Sequence, residues 1–151
     1  MTKKKERRYL QTFSELIDRL SIVQLKEVFI PEYKKEYGQE IQDIVHDIQL
    51  IMDEHPDAKV DAETIRAIVV LAQMNLHIWH NESNYRRGIK DGNNLELTHG
   101  LNGIRNTSKN IIQEVVGGRK DYKVDCLAAD FKDWEISWNR DTTDDNKPSV
   151  P

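Results

Sequence analysis

The hydrophobic positions of this chain recur every three or four residues over four successive stretches, which is the spacing of amphipathic helices. The first helix begins at a capping box between Thr12 and Glu15, and Pro31 ends it or opens the next one. Capping and turn residues give the other boundaries: the second helix runs from about Glu32 to Asp53, the third follows Asp61, and the fourth runs from Asn94 to the stop at Gly117-Gly118. Short connections favour antiparallel neighbours, so the pattern predicts two helical hairpins.

After the fourth helix the pattern becomes shorter and less regular. Asp125 is placed to cap a short fifth helix with Leu127, Phe131 and Trp134, whereas the alternation at Trp134, Ile136 and Trp138 suits an extended segment. We therefore predict an all-α fold, a helical bundle of about four main helices plus a short C-terminal helix or extended segment. The predicted regions are a basic flexible N-terminus over residues 1–11, a single helical domain over residues 12–140 and a disordered tail over residues 141–151.

Size and charge narrow the function classes. With 151 residues the chain has the length of one domain and can bury a core. Its 22 basic and 26 acidic residues leave a net charge of -4, which argues against a nucleic-acid partner, and we interpret the basic run from Lys3 to Arg8 as a solvated end. The single cysteine, Cys126, excludes an internal disulfide framework. No apolar run approaches the ~20 residues of a membrane span, and no secretory signal follows Met1, so we expect a cytoplasmic protein without a membrane partner.

The densest polar chemistry lies at the end of the third helix. Asn75, Trp79, Glu82 and Arg86 are spaced as one helical stripe, which continues the row of Ile68, Leu71 and Ala72. Because that row should face the core, we expect an amide, an indole, a carboxylate and a guanidinium to point inward.

The fourth helix carries a matching polar row. Asn102, Arg105 and Lys109 follow helical spacing, with Thr98 one turn earlier and Asn106 beside them. In an antiparallel hairpin the two rows should face each other. The predicted ligand-binding residues are Asn75, Trp79, Glu82, Arg86, Asn102, Arg105, Asn106 and Lys109.

Such a set suits an anionic ligand. Arginine and lysine match phosphate or carboxylate oxygens, and Trp79 offers a flat face for a base or sugar. We therefore predict a small binding protein for an anionic nucleotide-like or sugar-phosphate molecule, without a cofactor. The alternative is a satisfied structural network, in which Glu82 and Arg86 form an i, i+4 bridge and Trp79 is core.

Catalysis and metal binding find less support, so we predict no catalytic residues and no metal ligands. His77 and His80 are about 60° apart around the helix, and with Glu82 they do not have the spacing of a zinc motif. A site that combines His80 with His99 or Glu82 remains an alternative. A magnesium-dependent, all-helical nucleotide pyrophosphohydrolase is a further alternative, since such enzymes place carboxylates on facing helices. The pair Glu15-x-x-Asp18 departs from the spacing of the metal ligands in that family. The acidic run from Glu32 to Asp43 resembles a solvated helix face. We therefore assign no metal-binding role from that family to residues of this chain. We interpret Glu15, Asp18, Arg19 and Lys26 of the first helix as a cap and solvated charges.

An interaction module is the remaining alternative. The first helix has two apolar faces, one with Phe13, Leu16 and Leu20 and the other with Ile22 and Leu25. The helix is therefore either sandwiched in the bundle or joins a second chain, which predicts a homodimer through the first helix.

Two stretches resemble uncharacterised bacterial helical families. Ser14–Lys26 reads S-E-L-I-D-R-L-S-I-V-Q-L-K and is similar to the G-E-L-I-D-K-L-T-I-L-E-I-K opening of one family. The pattern N-x-x-x-W-H-x-E-x-x-x-R at Asn75–Arg86, with L-N-x-I-R-N at Leu101–Asn106, resembles a second family that has L-W-H-x-E-D-x-A-R and L-N-x-x-R-N. The sequence departs from that family at His80-Asn81-Glu82, where the acidic pair is reduced to one carboxylate. The resemblance implies a helical fold and a shared polar site, and it supplies no activity.

Overall fold

The computed structural model describes residues 4–88, 94–120 and 137–138, apart from the side chains of Tyr85 and residues 94–99. Within these ranges every regular element is helical, which confirms the all-α prediction. The elements are α1 (Phe13–Phe29), a 3-10 turn (Pro31–Tyr33), α2 (Lys34–Glu54), α3 (Ala62–Arg86) and α4 (Asn94–Gln113). The predicted fifth helix or extended segment, apart from Ser137 and Trp138, and the tail lie outside the described residues.

The helix boundaries follow from local capping. The Thr12 hydroxyl accepts a hydrogen bond from the Glu15 backbone N–H at 3.3 Å, as the capping box predicts. The Asp61 carboxylate caps α3 by accepting from the Thr64 N–H at 2.8 Å. Pro31 opens the 3-10 turn, so α2 begins at Lys34 and not at Glu32.

The end of α4 is closed by glycine. Gly117 has a φ of +72°, and its N–H donates to the Gln113 carbonyl at 2.9 Å. The Gln113 side chain is buried and accepts a hydrogen bond from the Ser14 N–H at 2.9 Å. One side chain thus ties the end of α4 to the start of α1.

The two predicted hairpins are present, and α1 joins them. α1 lies along α2, α3 lies along α4, and α1 also borders both α3 and α4. One part of the core joins all four helices; its most buried members are Phe13, Ala67, Leu71, Ile111 and Ile112, with Ile48 and Ile51 packed against them. A second part, between α1 and α2, is formed by Leu16, Val23 and Ile44.

α3 buries a different face from the one its sequence suggested. Thr64, Ala67, Leu71, Ile78 and Asn81 are buried. Of the row predicted to face the core, Leu71 is buried and Ile68 half-buried, but Ala72 is exposed. The apolar residues Ile65, Val69 and Leu76 are exposed as well. The reason is that α3 has apolar residues on two opposite faces, and α1 and α4 pack against only one of them. In the described residues no helix is long and apolar enough to cross a membrane.

Candidate functional site

A buried carboxylate on α1 is the centre of the polar chemistry. Asp18 accepts two hydrogen bonds from the Arg105 guanidinium, from Nε at 2.9 Å and from Nη2 at 2.6 Å. The Asn75 amide donates to Asp18 Oδ1 at 2.8 Å and to Ser21 Oγ at 2.7 Å. Because these residues come from α1, α3 and α4, the network joins three helices through one carboxylate.

The ionisation of Asp18 follows from this environment. Burial by itself would raise the pKa of Asp18, but the hydrogen bonds and charge of Arg105, the amide of Asn75 and the charge of Lys109 outweigh it. The pKa of Asp18 is consequently lowered below its ordinary value. Asp18 is therefore a carboxylate at neutral pH, and it holds Arg105 in a fixed bidentate orientation.

Four of the predicted site residues belong to this region. Asn75 and Arg105 contact Asp18, and Asn102 accepts a hydrogen bond from Arg105 Nη1 at 3.2 Å. Lys109 is buried nearby, and its charge acts on Asp18. The prediction that residues of α3 and α4 face each other is thus correct for these positions, with Asp18 of α1 between them.

The other predicted residues lie elsewhere. Trp79 is half-buried against Phe29, with ring centroids 5.4 Å apart, while Glu82 and Arg86 are exposed. Asn106 is half-buried on α4, and the side chains of Thr98 and His99 are outside the described part of the chain. The inward stripe of four residues was therefore wrong beyond Asn75. The buried face of α3 instead continues through Ile78 and Asn81.

Beside Asp18 lies an open cleft of about 660 Å³. Its lining residues are Tyr9, Gln11, Glu15, Asp18, Arg19, Ile22, Arg105, Lys109, Arg119 and Lys120. Five of these side chains are cationic and two are acidic. The cleft is thus a basic surface within a chain whose net charge is -4.

Ion pairs hold the rim of this cleft in place. Arg119 contacts Glu15 at 2.9 Å and lies 3.8 Å above the centroid of the Tyr9 ring. Lys120 pairs with Glu114 at 3.3 Å, on the side of α4. The segment after α4 is therefore fastened over the start of α1, and its two cations border the cleft.

Sequence reasoning missed Asp18, Arg119 and Tyr9. Asp18 was interpreted as a solvated charge, yet Ser14, Asp18 and Ser21 follow helical spacing and form one polar row on α1. That row was the signal that a polar group of α1 faces the interior. No comparable local signal marks Arg119, since its place depends on how the chain turns after Gly117.

The other cleft and the histidines of α3 have fewer features of a binding site. A second cleft of about 370 Å³ lies at the α2–α3 corner and is lined by residues 54–58 and Val115, among which are two acids and no lysine or arginine. Within the described residues, no three histidine, cysteine or acidic side chains are placed to share a metal ion. His77 and His80 are exposed on α3.

The fold and this cleft define a small all-α bundle with a basic cleft between α1 and α4. Comparison with protein-family models, curated proteins and solved structures finds no match to the chain. The resemblance to the two helical families stays a prediction.

Proposed function

We propose that this protein binds an anionic small molecule, of the sugar-phosphate or nucleotide-like class, in the cleft beside Asp18. The observation that carries the proposal is the concentration of cations in the lining, five against two carboxylates. Two further carboxylates, Glu40 and Glu114, pair with Arg19 and Lys120 from outside the lining, so cations still exceed carboxylates by one. A ligand with one or two phosphate groups would complement that excess, since phosphate oxygens accept several hydrogen bonds from arginine and lysine.

The cations of the cleft lie at two places, its inner wall and its opening. Arg105 is oriented by Asp18 at the inner wall, with Lys109 next to it in the same cleft. Arg119 and Lys120 border the opening. In this arrangement Asp18 and Asn75 position the cations and do not contact the anion. Trp79 is not part of the lining, so the proposal rests on the anionic groups of the ligand and not on stacking of a base.

The test is a thermal-shift titration with inorganic phosphate, pyrophosphate, sugar phosphates and nucleotides. At a concentration of about 100 times Kd, a ligand stabilises the folded state by about 2.7 kcal/mol, which for a domain of this size raises Tm by roughly 5–10 °C. We expect such a shift with at least one member of the panel.

A matched pair of variants shows whether the cleft is responsible. Arg119 and Arg66 have side chains that are 38% and 39% exposed, and each joins an ion pair and a cation–π contact. Arg119→Gln should reduce the ligand-induced shift by at least half, whereas Arg66→Gln, outside the cleft, should leave it unchanged. Equal shifts in both variants, or no shift with the whole panel, would refute the proposal.

A homodimer through α1 is the less supported candidate. α1 is bordered by α2, α3 and α4, and its large exposed apolar residues, Val28 and Phe29, are both in its last turn. Three other large exposed apolar residues, Ile65, Val69 and Leu76, lie instead on α3.

A further inference from the structure

α3 carries a second hydrophobic seam on its exposed side. The positions follow each other in steps of three and four residues: Ala62, Ile65, Val69, Ala72, Leu76 and Trp79. All are exposed except Trp79, which is half-buried against Phe29. Steps of three and four in alternation are the spacing of a coiled-coil seam, the pattern by which one helix packs along another.

The buried side of α3 has the same spacing. Thr64, Ala67, Leu71, Met74, Ile78 and Asn81 form a seam in which only Met74 is less than fully buried. The two seams are offset by two residues, which places them on opposite sides of the helix, about 200° apart. The buried seam faces the rest of the bundle, so by the same geometry the exposed seam suits one more helix.

The exposed seam is complementary to itself when two copies run antiparallel. With the centre between Val70 and Leu71, Ile65 lies opposite Leu76 of the second copy and Val69 lies opposite Ala72. Ala62 then lies opposite Trp79. In these two outer layers the side-chain sizes are complementary, because a small residue faces a large one at Ala62–Trp79 and two medium residues face each other at Ile65–Leu76. The pattern A-I-V-A-L-W is thus matched by its own reverse, which is what a two-fold symmetric interface requires.

Charge favours the same orientation. At the C-terminal end of α3 the exposed Arg86 and Arg87 outnumber the exposed Glu82. At the corner before its N-terminal end the exposed Asp53, Glu54 and Asp57 outnumber the exposed Lys59. An antiparallel pair brings the basic end of each copy towards the acidic corner of the other. A parallel pair would instead place like charges side by side, which is unfavourable.

We infer that this protein forms a symmetric homodimer through the exposed seam of α3, with the two α3 helices antiparallel. The cleft beside Asp18 lies on α1 and α4, away from this seam, so the dimer is independent of ligand binding. The seam runs along about 18 residues, or roughly 27 Å, of helix.

The first test compares two valine substitutions by sedimentation velocity and light scattering. Val69 and Val45 are each 49% exposed, and Val45 lies on α2 outside the seam. At about 100 µM, the unaltered chain and Val45→Glu should be dimers, while Val69→Glu should be a monomer, with a Kd raised at least ~100-fold. A monomeric unaltered chain, or a Val69→Glu variant that still dimerises, would overturn the inference. As a control, circular dichroism should show that Val69→Glu has the same helix content as the unaltered chain.

The second test reads the orientation with a short thiol cross-linker on a Cys126→Ser background. The two variants are Ile65→Cys and Leu76→Cys. In an antiparallel pair, Cys at position 65 of one copy lies opposite Cys at position 76 of the other. Two cysteines at the same position, one in each copy, are instead separated by 11 residues of helix, or roughly 16 Å along the axis. We expect a cross-linked dimer only when the two variants are mixed. Cross-linking of either variant with itself alone indicates a parallel pair, and no product in the mixture shows that another surface or segment covers the seam; both results would overturn the inference.

Discussion

The hydrogen bonds around Asp18 offset the free-energy cost of burying its carboxylate. An isolated carboxylate in this position would be expensive to bury, but Arg105 supplies two hydrogen bonds and a positive charge, and Asn75 supplies a third donor. Asp18 and Arg105 are 87 positions apart in the chain, so the pair fastens α4 to α1. The same pair fixes the guanidinium at the inner wall of the cleft, which links the stability of the bundle to the geometry of the proposed site.

We expect Asp18→Asn to lower the free energy of unfolding by roughly 2–4 kcal/mol at pH 7, because Arg105 would keep a partly buried charge without its carboxylate. Since the pKa of Asp18 is lowered on folding, its contribution is complete above the unfolded pKa of about 3.9 and is lost as the pH falls through the lower folded pKa. Urea unfolding should therefore show a constant difference between the two proteins above about pH 5, and a smaller one below about pH 4.

The control for Asp18→Asn is Glu40→Gln, which removes the carboxylate from the exposed Arg19–Glu40 pair, 2.6 Å apart. That pair is worth less than about 1 kcal/mol, because solvent screens it. A loss in Asp18→Asn no larger than that of Glu40→Gln would show that the network around Asp18 does not stabilise the fold.

At the scale of elements, glycine acts in opposite ways in two helices. Gly38 lies inside α2, where it leaves the unfolded chain more freedom than alanine would. Gly117 ends α4 with a φ of +72°, which other residues adopt only with strain. The same residue type is thus a weakness in one helix and a requirement at the end of the other.

We expect Gly38→Ala to raise the free energy of unfolding by about 0.5–1 kcal/mol and Gly117→Ala to lower it by about 1–2 kcal/mol. The added Cβ at Gly38 would lie 3.3 Å from Glu27 Oε2, the end of a flexible side chain that can move aside. Chemical denaturation of both variants measures the two changes. Changes of the same sign would contradict this assignment of the two glycines.

At the scale of the whole molecule, the two surfaces of interest are separate. The basic cleft is formed by α1, α4 and the segments that flank them, whereas the exposed seam belongs to α3. An anion in the cleft and a second copy on the seam, as proposed above, would therefore not compete for the same surface.

Because the two surfaces are separate, we expect ligand binding and dimerisation to raise the Tm independently of each other. If the dimer forms, the Tm of the unaltered chain should rise with protein concentration, because association stabilises only the folded state. Val69→Glu should abolish that dependence and keep the ligand-induced shift, while Arg119→Gln should do the reverse. Scanning calorimetry over a hundredfold range of concentration measures both, and loss of both effects in one variant would show that the surfaces are coupled.

The sequence by itself determined the helices and their ends, because capping and turn formation depend on residues within about four positions of each other: Thr12 with Glu15, Asp61 with Thr64, and Gly117 with Gln113. Periodicity also predicted two hairpins and brought Asn75, Asn102, Arg105 and Lys109 to one region.

Only the tertiary structure decided which face of each helix is buried. α3 has two apolar faces that local spacing cannot rank, and packing against α1 and α4 selects the one with Ala67 and Leu71. Likewise, nothing within α1 shows that Asp18 has a partner, since Arg105 approaches it only after four helices have packed. Burial and ion pairing are properties of distant residues brought together, and for that reason the cleft and the exposed seam became visible only in the folded chain.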